Sequence, residues 1–232
     1  MAPPPPPSSS FDSLRLAHSS MVDRVAEELR RALFEGELQP GTQLREVALT
    51  EAMGVSRSTV REALAVLVAE GLATREPNRG VHVTELDPES VGDVCRSRAV
   101  LEVAGLRRWS DAGEAARQAV RQAMSNFTEA ARSDAGATAL TATHLAIHRA
   151  FVGLTESTRL NALADSLAAE VRLGLAKVDR IRRNTAEQVI SHEALLDLLE
   201  RGDIEAAASQ LEQHLEHAEQ SMLTALHLPH AD

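Results

Sequence analysis

Two groups of residues in this chain have the types and spacing to do chemistry. The first lies in GVSRSTVREALAVLVAEGL, residues 54–72, where Arg57 and Arg61 stand one helical turn apart among Ser56, Ser58 and Thr59. A helix start offers free backbone N–H groups and a partial positive charge, and guanidinium groups there can reach phosphates or guanine edges. The second group is imidazole. His144 and His148 are spaced i,i+4, on one helix face, while His192 and the pair His214 and His217 lie farther along. Imidazoles converging from three helices of a bundle make a metal site. Each group has a plainer reading. The arginines could be a solvated helix face, with Arg61 paired to an acid, and the histidines ordinary surface or core residues.

The elements that would position these groups are legible from periodicity and breakers. Val22, Val25, Ala26, Leu29 and Leu33 predict a helix over 19–35, with Ser19 or Ser20 as cap. Gly36, Pro40 and Gly41 end it; a short helix over 46–53 stops at Gly54, and a third covers 58–70 before Gly71. The stripe Val60, Leu64, Leu67 and Val68 must face a core shared with the first two helices, which aims the arginine-bearing tip outward. LATREPNRGVHVTEL alternates apolar and polar residues on both sides of Pro77-Asn78-Arg79-Gly80 and reads as a hairpin. Three helices and a hairpin wing make a winged helix-turn-helix over 18–86. From 87 to 232 the pattern is helical throughout, over 91–109, 114–132, 138–154, 157–181, 185–200 and 204–226. That describes an all-α bundle of six to seven helices. MAPPPPPSSS opens a low-complexity segment, read as a disordered Pro/Ser-rich tail over 1–17. The fold class is mainly α.

Composition narrows the function classes. The 232 residues are 44% apolar and carry a formal net charge of −10, so any affinity for DNA must rest on where charges sit rather than on their sum. Cys95 is alone, which excludes an intrachain disulfide and fits a reducing compartment. No apolar run is long enough for a bilayer and no signal-peptide pattern opens the chain; a cytoplasmic protein without membrane contact is expected. HLAIH has the two-histidine spacing of a zinc protease helix, but Leu145 stands where the general-base Glu would be.

GELQPGTQLREVALTEAMGVSRSTVREALAVLVAEGL, followed by NRGVHV, closely resembles the N-terminal domain of the GntR family of bacterial transcription regulators, over about residues 20–84. The resemblance implies that Arg57, Arg61 and the hydroxyl residues Ser56, Ser58 and Thr59 contact DNA. It also implies that Gly80 lets the wing tip approach the minor groove, with Arg79 and His82 flanking it. Two positions depart from the family. Thr59 stands where Pro is common, and Val47 stands where a basic contact is frequent, so that contact is lost or supplied by Arg45. SRAVLEVAGLRRW, HLAIHRAFVGLTESTRL and SHEALLDLLERGDIEAAASQLEQHL look like the FCD ligand-binding domain of the FadR subfamily. Many members bind a divalent metal through one Asp and three His. By position the histidines are His148, His192 and His214, and the Asp position is His144. Four neutral nitrogens would leave the ion its full charge and favour zinc, nickel or copper over magnesium, with zinc or nickel expected here. The alternatives are a three-ligand site without His144 and a site that holds no metal. His217 reads as a solvated neighbour.

Arg98 and Arg172 are candidates to bind the carboxylate of a small organic-acid effector beside the metal; the alternative for each is a surface ion pair. The expected protein is a non-enzymatic homodimeric regulator, by default a repressor, binding double-stranded DNA at an inverted repeat. Two other functions compete: a metal-dependent hydrolase with a DNA-binding appendage, and a DNA-binding protein that answers to no effector.

Overall fold

The computed structural model describes residues 20–227, apart from 78, 86, 134 and 179–184. The tail expected over 1–17 lies outside them, as do Asn78 of the expected turn and the last three residues of the helix expected over 157–181. Helix α1 (Met21–Phe34) starts at Ser20, whose Oγ accepts from the Asp23 amide while the Asp23 carboxylate accepts from the Ser20 amide. Helix α2 (Glu46–Met53) and helix α3 (Arg57–Ala69) follow, the second capped by Ser56 Oγ accepting from Thr59 N. Strand β1 (Ala73–Glu76) pairs antiparallel with β2 (Gly80–Val83), Ala73 opposite Val83. Gln43 adds an isolated antiparallel bridge to His82. Leu29 of α1, Val60, Leu64 and Leu67 of α3, and Val83 of the hairpin share one buried core. The winged arrangement is thus a consequence of where those apolar side chains fall.

Six helices follow among the described residues: α4 (Pro88–Leu106), α5 (Glu114–Arg132), α6 (Ala137–Gly153), α7 (Thr158–Val178), α8 (Thr185–Glu200) and α9 (Ile204–His227). Their main core gathers Leu106, Phe127, Ile147, Phe151, Leu195, Leu199 and Leu211. A smaller cluster of Val91, Cys95, Leu145, Val171 and Met222 lies between α4, α6, α7 and α9. Gly105 lets α4 cross α6 closely, because a Cβ there would collide with the Phe151 carbonyl. Helix α4 begins three residues before the expected 91 and ends three before 109. Asp87 caps it through the Ser90 amide (2.7 Å), and Pro88 fills the first turn, where no N–H is needed. That turn is polar, so apolar periodicity does not reveal it. Among the described residues no helix is long and apolar enough to cross a membrane.

Candidate metal centre and nucleic-acid interface

Helices α6, α8 and α9 bring His144, His148, His192 and His214 together, one ligand atom from each lying within 4.8 Å of the others. The cluster is built from its backs. His148 Nδ1–H donates to Glu102 Oε2 of α4 (2.7 Å), and His192 Nδ1–H donates to the Gln188 carbonyl (2.8 Å). Both rings are thereby held in the tautomer that turns a bare Nε2 inward. His148 Nε2 lies 3.2 Å from His144 Nε2 and 3.4 Å from His192 Nε2. Two bare nitrogens facing each other at 3.4 Å have no proton to share. A tetrahedral ion with nitrogen ligands at about 2.0–2.1 Å would separate its ligand atoms by roughly 3.3 Å, so this donor set fits a divalent cation. His148 and His214 stack (centroids 5.2 Å, 22° apart), and Phe127 stacks on His144 as an apolar wall.

Electrostatics suit neutral ligands. Burial, first of all, holds His144, His148 and His192 below the usual imidazole range, and pushes His214 down to about 2. Glu102 is 3% exposed; burial pushes its carboxyl up, while Arg98 beside it pulls the other way. Arg98 Nε donates to Glu102 Oε1 (2.8 Å), so a chain runs Arg98, Glu102, His148. Arg98, Glu102, His148 and Arg149 also line a narrow cavity, closed by Leu145 of α6 and by Ala164, Leu167 and Ala168 of α7. Arg98 is therefore no surface ion-pair residue but a buried cation next to the histidines. Arg172, the other effector candidate, is not brought to this cavity: its guanidinium stacks on the Phe34 ring at the end of α1. Its position on α7 turns it toward the winged unit. His217, one turn from His214, is exposed.

At the other end of the chain the tip of α3 is exposed at Arg57 and Ser58. Ser56 Oγ lies 2.8 Å from both Ser58 Oγ and Thr59 Oγ1, a hydroxyl cluster at the cap. Arg61 is exposed but not free: its Nε and one terminal nitrogen donate to the two Glu46 oxygens (3.1 and 2.9 Å). The plainer reading of Arg61 is thus partly realised. An exposed pair of this kind is worth about 0–1 kcal/mol, so a phosphate or base can displace it. At the wing, Gly80 takes φ +84°, and Arg79 pairs with Glu76 (2.9 Å). Gln43 Nε2 donates to the Arg79 carbonyl (2.9 Å) and its Oε1 accepts from Arg45 Nε (3.0 Å). One amide thus links Arg45 to the wing tip.

Glu102, Gln43 and Glu46 were not singled out in the sequence. Glu102 and Arg98 are spaced i,i+4, the one signal that could have found the pair; the other two contacts cross 36 and 15 positions.

Comparisons with known proteins agree in kind. Residues 21–83 match the description of bacterial regulatory proteins of the gntR family, and residues 93–217 match the FCD domain. An uncharacterized HTH-type transcriptional regulator in an unstable DNA locus of Streptomyces ambofaciens is 30% identical over 81% of this chain and 79% of its own length. A probable D-xylose utilization operon transcriptional repressor of Paenarthrobacter nicotinovorans is 27% identical over 88% and 89%. A crystal structure from Rhodococcus sp. RHA1, described as a transcriptional regulator GntR, is 31% identical, with TM-score 0.76 over 89% of this chain and 99% of that one.

Proposed function

Because the chain belongs to the bacterial gntR family of regulatory proteins, with an FCD domain behind its winged helix-turn-helix, we propose that it is a homodimeric repressor released from its operator by a small organic acid. Its families and relatives are transcription regulators, not enzymes, and the hydrolase reading is withdrawn. Residues 18–86 bind an inverted repeat, with Arg57, Arg61, Ser56, Ser58 and Thr59 at the major groove and Arg45, Arg79 and Gly80 at the flank. Residues 87–232 dimerise and hold the effector.

The observation that supports this reading is the convergence of four imidazoles beside a buried arginine. His144, His148, His192 and His214 would hold zinc or nickel; when bound, the ion supplies a full positive charge for an anionic ligand. Arg98 lines the narrow cavity on which His148 borders, and it can donate to a carboxylate. The surrounding Leu145, Leu167 and Ala164 exclude water, which strengthens that contact. The effector acts only if it binds the operator-bound and free forms unequally.

Metal analysis of the purified protein, followed by melting curves with a panel of small carboxylates, tests the effector half. Zinc or nickel near one ion per chain, and a carboxylate that raises Tm only while the metal is present, are expected. If metal content is negligible and no carboxylate shifts Tm, the chain is a DNA-binding protein without an effector. Footprinting tests the other half: Arg61→Ala should weaken operator binding by about 1–3 kcal/mol and relax its specificity.

A further inference from the structure

Helix α7 touches both units of the chain. Ala164, Leu167 and Ala168 line the cavity beside His148, and one turn later Ala169 and Leu173 join the core of the winged unit. Arg172 marks the centre of this seam. Its guanidinium carbon lies 3.6 Å from the centroid of the Phe34 ring, on the last residue of α1. Arg172 Nε is buried and, among the described residues, accepted by no hydrogen-bond partner, so the ring face is its principal contact; Glu27 of α1 attracts it as well. Beside it Glu170 packs on Gly71, where a Cβ would come within 2.9 Å of Glu170 Cγ. Gly71 follows Glu70, the C-terminal cap of α3. One helix of the bundle therefore grips the ends of two helices of the winged unit.

The grip has a lever. Helix α3 has 13 residues, about 20 Å at 1.5 Å per residue, and its arginine tip is the end remote from Gly71. A tilt of about 10° at the seam would carry that tip about 3.5 Å, close to one base step of DNA. Four residues, 84–87, join β2 to α4.

We propose that Arg172 is a positioning residue: stacked on Phe34, it fixes the winged unit on the bundle and so sets the half-site spacing that the dimer accepts. This rests on the dimeric, inverted-repeat reading above. The test is selection from a randomised DNA library by full-length protein, read by sequencing, because half-site sequence and spacing come out as separate results. Wild type and Phe34→Tyr, which keeps the ring, should enrich an inverted repeat at one spacing. Arg172→Ala, Arg172→Lys (charge without the flat guanidinium) and Phe34→Leu should enrich the same half-site while spacing spreads by a base pair or two. The preference for the best spacing over its neighbours should fall about tenfold, a factor between what an exposed and a fully desolvated cation–π contact are worth. Arg172→Ala combined with Phe34→Leu should do no more than either alone. Enrichment of the half-site also certifies that a variant is folded. If all three disrupting variants keep the wild-type spacing profile, or wild type itself tolerates every spacing, Arg172 does not have this role. If wild type enriches no inverted repeat, the dimeric reading fails and takes this one with it.

Discussion

Glu102 is an acid, a residue type rarely buried without a partner, and it lies 3% exposed behind the histidines. A carboxylate donated to by a ligand's far nitrogen fixes that ring and makes its near nitrogen a better donor to a cation. Glu102→Gln keeps the shape and removes the charge. It should weaken zinc binding about 10–100-fold, as read by competition with a chelating dye. Unchanged affinity would mean that the shape of this partner is enough. The four imidazoles also make a pH prediction. All are held below their ordinary range, burial being the first cause in each, so they stay neutral in the folded chain where unfolded histidines near pKa 6.5 take up protons. The unfolded state then binds more protons, and stability that is complete above about pH 6.5 is lost as the pH falls below it. Metal-stripped protein should therefore melt markedly lower at pH 5.5 than at pH 7.5. A flat profile would mean that these rings protonate in place.

Elements decide which residues meet. Helices over 46–53, 114–132 and 185–200 are legible to the residue, because Gly54, Gly113 and Gly202 bound them and apolar residues keep a helical phase within them, Val120, Met124 and Phe127 in the second and Leu195 and Leu199 in the third. Of the histidines, spacing marks only His144 and His148 as sharing a helix face; His192 and His214 join them through the resemblance to the FCD domain. What sequence cannot carry is the crossing of one helix over another. Arg98 and Arg172 are alike as letters; α4 packs on α6 and turns the first toward the histidines, while α7 leans on α1 and turns the second away. The crossing of α4 and α6 depends on Gly105, which lies three residues from Glu102 as Phe151 lies three from His148. Gly105→Ala must push the two helices apart at the Phe151 carbonyl. Overpacking costs about 1–3 kcal/mol, and the shift should lengthen the Glu102–His148 contact. Both a lower Tm and weaker zinc binding are expected in the same protein. A lower Tm with unaltered zinc affinity would show that the centre tolerates the displacement.

The whole molecule sets an electrostatic problem for its own function. With a net charge of −10 it should repel a polyanion, and Glu46, which pairs with Arg61, sits at the very face that must meet one. Distance resolves this. At 0.1 M salt exposed charges farther than about 10 Å are largely screened, so the acidic bundle is felt weakly while arginines at a helix tip and a wing act at contact range. In the proposed dimer Arg45, Arg57, Arg61 and Arg79 would give each subunit up to four such contacts. If three or four of them meet phosphates or the groove edge, a dimer neutralises about six to eight phosphates, and log affinity should fall with log salt at a slope of about −5 to −7. Between 50 and 200 mM salt that is a loss of about 10³–10⁴-fold. Repulsion from the bundle works in the opposite sense, because salt screens it as well; it can flatten the slope but not reverse it. A measured slope near −1 would mean that these arginines do not meet phosphate, and the tip of α3 would have to read bases by hydrogen bonds alone.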